Sequence, residues 1–258
     1  MSGQFTRRLK PEEEEILRKR EELVAIRATL AERELELVDL RSQLSAFEGG
    51  YLRQVGKLYA ELDEWKARIS ELQARLDPST ASKAQAEESR EQARQTYEDA
   101  HGKASETQDF TPSPELKRLF REVAKRIHPD FAKDSADLDR RTRFMTEVNR
   151  AYEAGDAETL QRILDEYQDG AVAVEGEGIG AELIRIIRQI SLAKSRVAAI
   201  EQELATLRQS EIALLKKQAE EREQEGRDLF AELATTVREQ IEWAKKEYQS
   251  LAKQDKPT

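Results

Sequence analysis

Near the start of the chain, Ile16, Leu23, Leu30, Leu37 and Leu44 recur every seven residues. Seven residues are close to two helical turns, so these side chains share one face of a helix. The second position of the same repeat reads Lys19, Ile26, Arg33, Leu40 and Phe47. A seam this long needs a partner helix along its length, and a strand would instead repeat every two residues. Pro11 followed by Glu12 to Glu15 starts the helix. Proline is tolerated in a first turn, and acids there oppose the positive end of the dipole. Lys19 and Arg33 are the kind of polar intrusion that sets register and partner choice at a cost in stability.

Gly49-Gly50 interrupts the repeat, which resumes at Val55, Leu58, Leu62, Trp65, Ile69, Leu72 and Leu76. From Leu44 through Phe47, Tyr51, Val55 and Leu58 the steps are three, four, four and three. A continuous helix absorbs such a stutter by local unwinding. That is the expectation here; a hairpin at Gly-Gly is the competing one. A second seam follows Gly180: Leu183, Ile186, Ile190, Ala193, Val197, Ile200, Leu204 and Leu207, continued by Leu214. It turns polar toward Gly226 and recovers as Phe230, Leu233, Val237, Ile241, Ala244, Tyr248 and Leu251. The polar patch is either a break or a partner-contacting region. Packing is the default for both Trp65 and Trp243.

Composition agrees with long helices. Charged residues are 37% and apolar residues 38%, below the apolar share of an ordinary globular domain. The chain has no cysteine, which excludes disulfides, zinc ribbons and thiol chemistry. A net charge of −9 argues against general nucleic-acid binding. No apolar run reaches the roughly 20 residues of a membrane span, and the N-terminus lacks the apolar core of a signal peptide. The chain therefore reads as soluble and cytoplasmic, with no membrane contact. No catalytic constellation, metal cluster or phosphate loop is visible, so neither enzymatic activity nor a cofactor is expected. The Gly-x-Gly-x-Gly at Gly176 to Gly180 has no preceding strand and no following lysine.

The expected fold class is all-α, with long coiled-coil helices flanking a small helical hairpin module. The divisions are 12–76 (N-terminal coiled coil), 77–111 (polar linker), 112–168 (compact module), 169–180 (small-residue linker) and 181–253 (C-terminal coiled coil). The linker 77–111 has almost no large apolar residues, so a solvated, partly helical state is expected, and His101 within it is a surface histidine. The flanking segments are each about 100 Å long if straight. In the simplest arrangement the C-terminal segment folds back on the N-terminal one as an intramolecular antiparallel coiled coil with the module at the tip. A parallel homodimer is the rival, and both remain open.

The module opens with Ser113-Pro114-Glu115, a cap, a first-turn proline and an acid. Leu116, Leu119, Phe120, Val123, Ala124 and Ile127 form one apolar face. The opposite face carries Lys117, Arg118, Arg121, Lys125 and Arg126, interrupted by Glu122. Pro129 disfavours helical geometry at His128 and cannot donate a backbone hydrogen bond, so it ends the helix. A second helix is expected over about 138–154, with Leu138, Phe144, Met145, Val148, Ala151 and Tyr152 apolar and Gly155 as its stop. Asp156 can cap a third helix carrying Leu160, Ile163, Leu164 and Tyr167, which covers the open side of the hairpin.

The stretch "LKRLFREVAKRIHPD" resembles the second helix and signature loop of the J-domain (DnaJ) co-chaperones, and "MTEVNRAYEAGD" resembles that family's third helix. The resemblance spans about 45 residues, near Leu116 to Asp156. It implies docking on a DnaK-type chaperone of the seventy-kilodalton class and stimulation of its ATP hydrolysis, with the flanking helices selecting a client. By position it makes His128, Pro129 and Asp130 the activating loop, and Lys117, Arg121, Lys125 and Arg126 the basic docking face. A local basic stripe on an acidic protein steers an acidic partner to one face. The family's usual short first helix, with its Tyr-Tyr-x-x-Leu-like pattern, has no counterpart just upstream. Phe110 and Pro112 are the nearest substitute. Phe131 stands where a basic residue is common. There is no Gly/Phe-rich segment, cysteine zinc repeat or client-binding β-domain. The alternative is a non-catalytic coiled-coil adaptor with a degenerate J-like tip.

Overall fold

The computed structural model describes residues 10–102, 111–167 and 178–255, and these are helices joined by short turns. The fold class is all-α, as the periodicity requires. Phe110, most of the small-residue linker 169–180 and its glycine motif up to Glu177 lie outside the described residues. The chain divides into two units, 1–42 with 110–208, and 43–109 with 209–258.

In the first unit, α1 (Pro11–Tyr51) carries its heptad seam against α7 (Ile179–Arg208). Ile16, Leu23, Leu30 and Leu37 are buried with Ile186, Ile190, Ala193, Ile200 and Leu204. The expected antiparallel fold-back is not what forms. Ion pairs join Arg20 to Glu182, Glu22 to Lys194, Arg33 to Glu201, Glu34 to Arg196, Glu36 to Arg208 and Arg41 to Glu203. From Arg20–Glu182 at one end to Arg41–Glu203 at the other, the pairs keep an offset of 162–172 residues, so α1 and α7 run parallel within one chain. Charge complementarity fits this direction: Arg33, which intrudes on the seam, faces Glu201 of α7 across it. The seam that a parallel homodimer would use is thus filled by the chain's own α7.

The compact module is α4 (Pro114–Ile127), a 3-10 turn (Pro129–Phe131), α5 (Ser135–Glu153) and α6 (Ala157–Glu166). Ser113 and Asp156 cap their helices as expected, and Asp134, which was not expected as a cap, starts α5 three residues before Leu138. Ser113 Oγ accepts from Leu116 N, Asp134 Oδ1 from Asp137 N, and Asp156 Oδ1 from Thr159 N. Gly155 takes a left-handed φ of 71°, which terminates α5. Phe120 and Tyr152 meet edge-on at the centre, with ring centroids 5.1 Å apart. α6 covers the hairpin with Leu160, Ile163 and Leu164. The core is completed by Ala31, Leu35 and Val38 of α1. The module therefore sits on the flank of α1, not at a tip, because its hairpin retains an apolar side that these residues fill.

In the second unit, α1 passes through a π-helical turn, Leu52–Gly56, into α2 (Lys57–Leu76) without a hairpin. A π turn takes up the extra residue of the stutter. α9 (Leu229–Gln254) also runs parallel to its partner, with Phe230 against Phe47, Lys245 paired with Glu61 and Trp65 edge-on to Tyr248. Residues 77–111, expected to be solvated, contain α3 (Thr80–Gly102), which packs on α2. Ser70–Ser89 and Asp63–Thr96 hydrogen bonds show that this pair is antiparallel. The contact uses small side chains, Ala93 and Ala100 from α3 with Ala60 and Ala67 from α2. His101 is exposed, with its ring stacked on Tyr97.

The C-terminal seam is cut twice. α7 stops at Arg208, and Ser210 caps α8 (Glu211–Gln224), so Leu214 does not continue the buried stripe and is 50% exposed. The patch at Gly226 is a break: Gly226 has φ 73°, and Asp228 caps α9. Trp243 is 67% exposed, contrary to the packing expected for it, because its neighbours Ile241 and Ala244 take the buried face.

Candidate functional site

The site begins where α4 ends. Pro129 turns the backbone out of the helix, leaving His128 with ψ 133°. The 3-10 turn then closes through Phe131 N to His128 O and Ala132 N to Pro129 O. His128 Nδ1 accepts from the Asp130 backbone N–H at 3.1 Å. The ring proton is therefore assigned to Nε2, which donates to Glu34 Oε1 at 3.2 Å. Arg196 Nε of α7 donates to the same oxygen at 2.9 Å. One carboxylate thus joins the loop to both long helices.

His128 is only 4% exposed and Phe131 3%. Phe131 is buried in the α1–α7 seam, with the Arg27 guanidinium 4.4 Å from its ring centroid. This explains an apolar residue where a basic one was noted as common: the position faces a seam. Asp130 is half-buried. Burial pushes its carboxyl up, an effect that the nearby Arg196 charge only partly opposes. Burial acts on Glu34 in the same direction, but the hydrogen bonds from His128 and Arg196 outweigh it and hold the carboxyl below its ordinary value.

A buried arginine fixes the loop from behind. Arg141 of α5 donates Nε to Asp137 Oδ2 at 2.8 Å and Nη1 to the Arg126 carbonyl at 2.8 Å. That carbonyl lies in the last turn of α4, and its usual donor, the Asp130 N–H, is turned to His128 Nδ1 instead. Asp137 also accepts from Arg140 and from the Lys133 backbone.

The basic face divides in two. Lys117 Nζ lies 2.8 Å from Asp39 Oδ2, and Arg121 Nε lies 2.6 Å from Glu32 Oε2. Tyr152 Oη donates to the other Asp39 oxygen at 3.3 Å. Burial, then the Asp39 carboxylate, pushes that phenol well above its ordinary value. Lys125 and Arg126 are exposed. So His128, Lys117 and Arg121 converge on one segment of α1, residues 32–39, on the two flanks of the Ala31–Leu35–Val38 stripe, while Lys125 and Arg126 stand apart from it and face solvent.

The residues that sequence reasoning missed are Glu34, Asp39, Glu32, Arg196, Arg141 and Asp137. A signal for the first three existed. Ala31, Leu35 and Val38 form a second apolar stripe at spacings of four and three beside the Leu30–Leu37 seam, and a helix with two apolar stripes has two partners. Among the described residues no group of three or more His, Asp or Glu could hold a metal ion, and no helix is long and apolar enough to cross a membrane. Comparison of the chain with protein-family models, curated proteins and solved structures finds no match.

Proposed function

We propose that the chain is a cytoplasmic J-domain-like co-chaperone. Its central module docks on a DnaK-type chaperone and stimulates ATP hydrolysis there, and the paired helices select the client or partner. The observation that carries the reading is a conjunction in one hairpin. A His-Pro-Asp turn directly follows the basic helix α4, and the Asn149-x-Ala151-Tyr152 helix packs back on that helix through Phe120 and Tyr152. Arg141 supports it by holding the loop from the second helix. Missing cover from a family-type first helix does not weaken the hairpin, since α6 and α1 supply apolar contacts there.

A second reading has its own observation. Burial of His128 and Phe131 against α1 and α7 favours a helical adaptor in which the loop is a structural clasp. Steady-state ATP turnover by a DnaK-type chaperone, titrated with the whole chain and with His128→Gln, separates the two. Stimulation by the wild type that the variant loses supports the co-chaperone. Equal stimulation by both, or none at any concentration from either these chains or one whose module face has been freed, leaves the adaptor.

A further inference from the structure

The three parts of the docking set that face α1 are all held by acids of that helix. Glu32 pairs with Arg121, Glu34 with His128, and Asp39 with Lys117. Between these acids Ala31, Leu35 and Val38 enter the module's core. The segment 31–39 thus presents an acidic, amphipathic helical face to a basic one, which is the chemistry a macromolecular partner of α4 would also need. From this we infer that residues 31–39 of α1 are an intrachain occupant of the module's docking face. The inference rests on the co-chaperone reading and concerns its regulation: the chain is closed at rest, and an acidic partner surface must displace α1 to reach His128.

The geometry supports a reversible contact. α1 contributes three small or medium apolar side chains, whereas α4, α5 and α6 bury a core of their own around Phe120, Val148, Tyr152 and Ile163. The Arg121–Glu32 pair is part-exposed, with side-chain exposures of 34% and 56%, and such pairs are individually weak. Lys125 and Arg126 are exposed in the closed state, so a partner can make first contact there before competing for Lys117 and Arg121. Glu34 ties the loop to α7 as well, through Arg196, so opening at the loop also loosens the α1–α7 pair.

The test uses the whole chain with Glu32→Lys and Asp39→Lys together, which repel Arg121 and Lys117 without altering Ala31, Leu35 or Val38. Hydrogen exchange follows the amides of Asp130, Phe131 and Ala132, with α5 and α6 as the internal check that the module stays folded. ATP turnover by a DnaK-type chaperone is measured in parallel. The expected result is faster exchange in the loop with α5 and α6 unchanged. Chaperone stimulation at subsaturating concentration should rise about fivefold over the wild type and vanish when His128→Gln is added. Unchanged loop exchange, or faster exchange with stimulation equal to the wild type's, overturns the occlusion and leaves the co-chaperone reading standing. Faster loop exchange with no stimulation from either chain overturns the co-chaperone reading, and its regulation with it.

Discussion

Glu34 and His128 lie 94 residues apart in the chain and 3.2 Å apart in space, both buried, with Arg196 on the same carboxylate oxygen. Removing the carboxylate strands a buried imidazole N–H and a half-buried guanidinium together. Glu34→Ala is therefore expected to destabilise the chain by about 2–3 kcal/mol. Glu34→Gln keeps an acceptor for His128 but loses the charge facing Arg196, and should cost about half as much. Urea unfolding followed by helical circular dichroism measures both, and a Glu34→Gln midpoint equal to the wild type's would show that the charge adds nothing.

Phe131 makes a second, apolar link between the same three elements. At 3% exposure, it contributes a whole ring to the α1–α7 seam. Phe131→Ala should cost about 3 kcal/mol, and Phe131→Leu less than about 1.5. Hydrogen exchange in α7 should rise in the alanine variant, since Ile190 and Ala193 belong to the same buried cluster. Exchange confined to the loop would place the ring outside the energetics of the seam.

Helix positions and caps were legible from sequence because they are local. Ser113, Asp156 and Gly155 act on residues within one turn of themselves. The heptad residues Ile16 to Leu37 likewise mark a buried face wherever the partner comes from. What periodicity cannot carry is direction: a seam of leucines packs equally well on a parallel or an antiparallel helix, and only charges such as Arg33 and Glu201 distinguish them. Alanine stripes are equally silent. Ala86, Ala93 and Ala100 recur every seven residues, yet alanine is a common surface helix former, so the stripe reads as solvated until a close partner is known. Burial of His128 was hidden for a different reason. It depends on Glu34, nearly a hundred residues away, whose short-range context is an ordinary charged helix face.

Asp137 gives the module a defined acid sensitivity. Burial would raise its carboxyl, but hydrogen bonds from Arg141, Arg140 and the Lys133 backbone outweigh that and hold it at about 2, against 3.8 in the free side chain. A folded value below the unfolded one means that the unfolded chain takes up the proton first as pH falls. The stabilisation is complete above about pH 4 and disappears as pH drops toward 2, amounting to at most about 2 kcal/mol. Asp137→Asn should lose that stability at neutral pH and show a flatter profile between pH 4 and 2. Parallel profiles for the two chains would mean that Arg141 is held by the α4 carbonyls alone.

Small residues, Ala93 and Ala100, form the buried side of α3. Ala100 is 1% exposed, and a Cβ built at Gly56, in the π turn that leads into α2, would meet the Ala100 Cβ at 3.7 Å, so α3 meets that turn through the smallest residues. Ala100→Leu adds three carbons to a buried side chain, and either the helices separate or the side chain leaves its preferred rotamer. The expected cost is about 1–3 kcal/mol, with a similar value for Ala93→Leu, which is 4% exposed. Ala84→Leu, on the exposed face of the same helix, should stay within about 0.5 kcal/mol of the wild type. Trp65 lies on α2 with Tyr248 against it, so its fluorescence during urea unfolding reads this unit directly. Equal midpoints for Ala84→Leu and Ala100→Leu would mean that α3 is held to α2 by its polar pairs, such as Arg90 with Glu64, and not by the alanine stripe.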